Sequence, residues 1–180
     1  MTSTAENHDL PAPPYDLIEL LFFAYRDFTS DPDDVLTQYD FGRAHHRVLH
    51  FVDRNPDIMV TDLLAILRIT KQSLGRVLKQ LVDEDFIEQR PGANDRRQRL
   101  LRTTEKGQAL ALRLAELQTR RLNAALAGLS HQEQAAARKF LFQMIDSDVR
   151  PDVAKLLKSS DPNLAAGGPP ADGLIDLEKD

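Results

Sequence analysis

Two short apolar stripes separated by three residues constrain this chain more than any other feature in it. From Asp62 to Leu67, the residues Leu63, Leu64 and Leu67 fall on one helical face, with Thr61 placed to cap the start. From about Lys71 to Glu84, Leu74, Val77, Leu78 and Leu81 form the inward set of a second helix. Only Arg68-Ile69-Thr70 lies between them, and two helices joined by so tight a turn make a helix-turn-helix. An extended run begins at Ile87–Arg90, Pro91-Gly92-Ala93-Asn94-Asp95 supplies turn chemistry, and Gln98–Arg102 returns as a second strand. A hairpin directly after a helix-turn-helix is a wing.

The remaining segments are helical and flank this unit. Leu17, Ile18, Leu21, Phe22 and Tyr25 recur at helical spacing over residues 15–28. Thr29–Asp40 is acidic and contains Asp31-Pro32, which is expected to break or offset the next element. A second helix over 41–54 would bury Phe41, Ala44 or His45, Val48, Leu49 and Val52, and stop at Asn55-Pro56. Beyond the hairpin, Thr104 can cap a long helix over Glu105–Ala127, with Gly128 ending it. Ser130 and Glu133 form a capping box that opens a last helix over His131–Asp146, with Ala135, Phe140, Leu141, Met144 and Ile145 on one side. The expected fold is thus mainly α: a winged helix-turn-helix with a two- or three-stranded β-wing. Residues 1–13 read as a flexible leader and 147–180 as an acidic, largely disordered tail, rich in Pro and Gly near its middle.

Charge at first argues against nucleic acid, because the chain carries 23 Lys and Arg against 28 Asp and Glu, a net −5. The acidity is terminal, however. Residues 1–40 hold one base against nine acids (−8), residues 146–180 hold four against eight (−4), and residues 41–145 hold 18 against 11 (+7). The body is basic and the flanks are acidic, an arrangement that would discourage non-specific DNA while leaving one basic face to bind.

That face has identifiable residues. On the second helix of the helix-turn-helix, Lys71, Gln72, Ser73, Arg76 and Lys79 supply donors for base edges and phosphates. Gly75 costs about 1 kcal/mol of helix stability relative to Ala, which either lets the helix approach a groove closely or serves a packing contact. The wing carries Arg96, Arg97 and Arg99, with Arg90 at its base. An Arg on a narrow loop can enter the minor groove, where negative potential is focused, and a solvated basic hairpin is the alternative.

The run Asp95-Arg96-Arg97 on the hairpin, followed by Thr104-Glu105-Lys106-Gly107, resembles the signature of MarR-type winged-helix transcriptional regulators. The resemblance covers about residues 15–146. It implies a MarR-type domain over 14–146, with a DNA-binding core at about 57–102 and dimerisation helices at about 15–30 and 104–146. It also implies a homodimer whose terminal helices interlock, with recognition helices in major grooves and wings in minor grooves of double-stranded DNA. On that resemblance Arg96 or Arg97 enters the minor groove and Asp95 orients one of them. Family habit makes a repressor the expected sense, relieved by a small aromatic or anionic effector; Tyr25, Tyr39, Phe41, Arg43 and His45 are the expected lining of its pocket, although aromatic residues on a helix face also serve as core. Two positions depart from the pattern: Thr103 stands where Leu is usual, and Asp85 stands where Gly usually ends the recognition helix.

Other functions find little in the chain. With no cysteine, disulfides, Cys-ligated metals and thiol chemistry are excluded. No Gly-x-Ser-x-Gly, His-Glu-x-x-His, P-loop or Gly-x-Gly-x-x-Gly motif occurs, so neither catalysis nor a cofactor is expected. No membrane span and no secretory leader is legible, so the expected location is the cytoplasm. Two rival readings stand: a helical dimerisation module that binds another protein through acidic tails, and a metal-dependent enzyme or sensor built on His45, His46 and His50. Zinc wants three or four ligands, and the histidines alone are more simply one core and two surface residues.

Overall fold

The computed structural model describes residues 12–92 and 97–160. The first helix, α1, spans Tyr15–Thr37 and passes straight through Pro32, where a break was expected. Pro32 is buried together with Val35 and Leu36, and that packing offsets the cost of about 3 kcal/mol for a mid-helix proline. In the turn before the ring, the hydroxyls of Thr29 and Ser30 donate to the carbonyls of Tyr25, Arg26 and Asp27 at 3.0–3.1 Å. The helix stops in a Schellman end: the Phe41 N–H reaches the Leu36 carbonyl at 3.1 Å, the Asp40 N–H reaches Thr37 at 3.3 Å, and Asp40 takes φ 55°.

Helix α2, Arg43–Arg54, buries Val48, Leu49 and Val52 and ends before Pro56 as the sequence predicts. A strand too short for any periodicity, β1 (Ile58–Met59), comes next and pairs antiparallel with Leu100 and Leu101. Because the chain enters α3 (Val60–Leu67) directly from this strand, the helix starts a residue before Thr61. Its N-cap is Met59, with no side-chain bond, so the expected Thr61 cap is not formed. Arg68 makes the turn at φ 49°, and Thr70 then caps α4, Lys71–Asp83, by accepting the Ser73 N–H at 3.1 Å. The wing strands are β2 (Ile87–Pro91) and β3 (Arg99–Thr103), giving a three-stranded sheet ordered β1-β3-β2.

Helix α5, Glu105–Leu126, is capped by Thr104 and ends just before Gly128 as expected, although Gly128 does not take a left-handed φ there. The turn is closed instead by the Leu129 N–H on the Leu126 carbonyl, and by the Gln134 amide, which donates to the carbonyls of Leu126 and Leu129. The Ser130–Glu133 capping box opens α6, His131–Gln143. A further helix, α7 (Arg150–Ser160), occupies ground expected to be disordered tail. Arg150 anchors the turn into it by donating to the carbonyls of Ile145 and Gln143 at 2.7 and 2.5 Å, and Arg68 faces Asp146 and Asp148 across it at 3.0 and 3.6 Å. Residues 1–11 and 161–180, the bulk of the expected leader and tail, lie outside the described residues.

The core lies under the helix-turn-helix, where Leu36, Leu49, Leu63, Leu74, Leu81, Phe86, Ile87, Leu101 and Leu114 are almost wholly buried. The flanking helices are different. Leu17, Ile18, Leu21, Phe22 and Tyr25 of α1, Phe140 and Leu141 of α6, and Met144 just past its end are 41% or more exposed, so these expected inward residues do not pack within the single chain.

One corner ties the two halves together. Helix α4 ends in a second Schellman turn, with Phe86 N–H on Leu81 carbonyl at 2.8 Å and Asp85 N–H on Val82 at 3.1 Å, so Asp85 adopts φ 61°. The first turn of α5 sits on that corner. Thr104 Oγ1 donates to the Asp85 carbonyl at 2.7 Å and accepts the Gly107 N–H at 3.1 Å. Lys106 Nζ donates to the Glu84 carbonyl at 2.7 Å and lies 4.0 Å over the Phe86 ring. A Cβ on Gly107 would fall 1.9 Å from the Phe86 carbonyl oxygen. Every member of Thr-Glu-Lys-Gly except the exposed Glu105 thus contacts the end of the recognition helix.

Gly107→Ala is therefore expected to cost about 3 kcal/mol, read as a fall in Tm of about 6–12 °C; a variant melting with wild type would show that α5 can lift off Phe86. Stability also depends on pH through His46, whose imidazole is pushed down to about 4 by burial, with His50 adding to the shift and Asp33 opposing it. An unfolded histidine titrates near about 6.5, so as pH falls from there towards 4 the unfolded chain gains a proton that native His46 does not take, and stability drops. His46→Gln should flatten the loss of Tm between about pH 7 and 5, as measured by thermal melts across that range.

Candidate nucleic-acid interface

The exposed side of α4 is polar because its apolar set is spent on the core: Leu74, Val77, Leu78 and Leu81 are all 8% exposed or less. Lys71, Gln72, Gly75, Arg76 and Lys79 are exposed, and Ser73 is half-buried within the Thr70 cap. The structure thus brings the sequence-predicted donors to one face. A Cβ on Gly75 would meet nothing within 4 Å, so no packing contact in this chain calls for the glycine. Lys79 pairs with Asp83 one turn on, both well exposed, an interaction of about 0–1 kcal/mol that a phosphate could readily replace.

On the wing, β2 and β3 pair from Ile87 with Thr103 to Pro91 with Arg99, and the Gly92 N–H on the Gln98 carbonyl extends the hairpin. Arg97 and Arg99 are exposed beside the tip. Asp95 and Arg96 lie outside the described residues. Arg90 pairs with Glu88 at 2.6 Å, so it stands within the sheet's own charge pattern. Opposite Glu88, Arg102 binds Asp57 at 2.5 Å, which raises the guanidinium pKa and holds the Asp57 carboxyl below its usual range. The sequence reading missed this Asp57–Arg102 clamp, since nothing local links residues 45 apart. The Thr70 cap, by contrast, follows the ordinary rule of a hydroxyl residue just before a helix.

The five residues expected around an effector are not gathered around one cavity. Phe41 is buried, stacks on Tyr39 and His45, and meets Phe86 edge-on at 5.1 Å, so these aromatics fill space as core. Tyr25 and Arg43 meet elsewhere: the Arg43 guanidinium lies 5.7 Å from the Tyr25 ring and binds Asp33 at 2.8 Å. His45 is engaged at both nitrogens, accepting the Gly42 N–H at 3.1 Å and meeting Gln80 at 3.0 Å. Among the described residues, no cluster of three or more His, Asp or Glu side chains has the proximity to hold a metal ion, and no helix is long and apolar enough to cross a membrane.

Known proteins share this arrangement. The family model described as MarR family matches residues 39–98. The HTH-type transcriptional regulator PetP of Rhodobacter capsulatus is 48% identical over 133 residues, which covers 74% of this chain and 80% of PetP. Among solved structures, Streptococcus pneumoniae FabT in complex with DNA aligns with a TM-score of 0.66 and 18% identity, over 73% of this chain and 94% of FabT. Wild-type MarR from E. coli in its apo form aligns with a TM-score of 0.56 and 23% identity, over 75% and 98%. The close identity to PetP, over a stretch that includes the helix-turn-helix, the wing and the Thr104–Gly107 corner, has one consequence: the chain belongs to the MarR family and is a winged helix-turn-helix, DNA-binding transcriptional regulator.

Proposed function

We propose that this regulator acts as a homodimeric repressor that grips an operator with α4 in the major groove and the wing in the minor groove, and lets go when a small effector binds. The observation that carries the DNA contact is the polar face of α4 standing beside the arginines of the wing. One element is shaped and charged for base edges, and the other is narrow and cationic. Lys71, Gln72, Arg76 and Lys79 are the proposed major-groove contacts, with Gly75 leaving room for close approach. Arg96, Arg97 and Arg99 are the proposed minor-groove and phosphate contacts, with Arg90 and Asp95 shaping the hairpin around them.

Dimerisation follows from what α1 leaves uncovered. Leu17, Leu20, Phe22, Phe23 and Tyr25 are each at least half exposed and point to several sides of one helix. A helix apolar all round belongs inside a protein, and a second copy supplies matching apolar residues from α5 and α6. Two recognition helices spaced by about 34 Å would then meet half-sites one turn apart, and a dimer seated on a promoter blocks it sterically. The effector is proposed to enter between α1 and α5 rather than the filled aromatic cluster. A cleft of about 650 Å³ there is lined by Leu117, Arg120, Arg121, Asp31 and Asp34, with Arg121 already paired to Asp31. If an anion there favours a dimer of different spacing, linkage requires it to weaken DNA binding by the same factor.

Replacing Arg96 and Arg97 together by Ala should weaken binding to all duplexes, and reduce the slope of log affinity against log salt by up to about 0.9 for each lost phosphate contact. Unchanged affinity over a salt series would remove the wing from the interface. Arg76→Ala should cost about 1–3 kcal/mol on the selected operator and far less on random duplex; equal losses on both would make it a phosphate contact. For the dimer, Leu21→Asp with Phe22→Asp should convert a species of twice the chain mass into monomer in sedimentation velocity.

A further inference from the structure

A line of part-buried and exposed hydrogen bonds runs along the rim of the core from α2 to α5 by way of the recognition helix. The backbone N–H of Gly42, at the start of α2, donates to His45 Nδ1 at 3.1 Å. A neutral ring that accepts at Nδ1 carries its proton on Nε2, and that N–H donates to Gln80 Oε1 at 3.0 Å. The Gln80 amide nitrogen then donates to Glu84 Oε1 at 3.0 Å, and the Glu84 carbonyl takes Lys106 Nζ at 2.7 Å. The imidazole is held flat against Phe41, with ring centroids 4.7 Å apart and planes 5° from parallel.

We propose that His45 is a positioning residue for DNA specificity: acting through Gln80, it sets the rotation of α4 about its own axis without touching DNA. The reason lies in what the rest of the contact can do. The leucines and valine beneath α4 hold it against the core, but apolar burial is non-directional and tolerates small rotations, and the directional bonds from Thr104 and Lys106 reach only the carbonyls just past its last turn. The Nε2–H to Oε1 bond is directional and weakens steeply off line. A side-chain tip about 6 Å from the axis moves about 1 Å for a rotation of about 10°, enough to spoil a bidentate contact to a base from Gln72 or Arg76. Gln80 is one turn beyond Arg76 on the same stripe of α4 and half-buried where Arg76 is exposed, so it meets His45 at the rim of the core while Arg76 stays free to reach outward. Sequence reasoning placed His45 in an effector cavity; its two protein partners assign it this different task.

This rests on the proposed reading by α4, and the experiment separates the two. Duplexes are selected from a random pool by wild-type protein, and affinity is compared on the selected duplex and on a scramble of the same composition. Gln80→Leu keeps the bulk and the helix propensity but removes the bond. His45→Gln can keep the cap on Gly42, since Gln is the usual capping-box partner at that position, but loses the imidazole. Each should lower the ratio of selected to scrambled affinity by about 10-fold while leaving the scrambled affinity unchanged, and the double variant should lose no more than either single one. A purely structural role would lower Tm and leave that ratio alone. In wild-type protein, nitrogen-15 NMR should show His45 protonated at Nε2 only, a test that needs no variant to fold. An unchanged ratio, additive losses, or a proton on Nδ1 overturns the proposal. Failure of wild type to prefer any duplex would overturn the reading by α4 itself.

Discussion

The seat of α5 on the corner after the recognition helix is the constraint on which the rest of this structure depends. Gly107 has backbone where any other residue would have a side chain, because the Phe86 carbonyl occupies that space. Thr104 and Lys106 then satisfy the carbonyls of Asp85 and Glu84, which the end of α4 leaves without helical partners. The long helix that departs from this corner packs Leu110 and Leu114 into the core and leaves Leu112 and Leu122 exposed. Its angle to α4 is set within the first turn, by these two bonds and by the close approach at Gly107.

Electrostatics are arranged around the same frame. Three exposed pairs, each weak in solvent, fall at joints: Arg121 with Asp31 between α5 and α1, Arg102 with Asp57 between β3 and the turn before β1, and Arg68 with Asp146 between the helix-turn-helix turn and the segment after α6. The acidic stretch after Phe28, expected to break or offset the next element, continues α1 to Thr37, and its Asp31 and Asp33 bind Arg121 and Arg43.

Much of this was legible before any coordinates. The stripes Leu63–Leu67 and Leu74–Leu81 read correctly because a helix that buries one face must repeat its apolar residues at helical spacing. The Thr104 cap and the Ser130–Glu133 box read correctly because each is a bond between near neighbours. The misreadings share a cause as well. Asp31-Pro32 reads locally as a break or offset, whereas tertiary burial of Pro32, Val35 and Leu36 carries the helix through it. The strand β1 is two residues long and exists only by pairing with β3, and α7 is held by Arg150, whose bonds to Ile145 and Gln143 no periodicity announces.

The sequence by itself determined the helix-turn-helix, the wing, the polar face of α4 and the basic body between acidic ends, since each is written in local spacing and in charge along the chain. Only the tertiary structure decided what the aromatic and histidine residues do. Tyr39, Phe41 and His45 could have lined a cavity or filled one. The outcome rests on Phe86 and Gln80, some 35 to 45 residues further on, closing over them. Local spacing carries no information about contacts at that range, because the partner is chosen by how the helices pack and not by how either one is patterned.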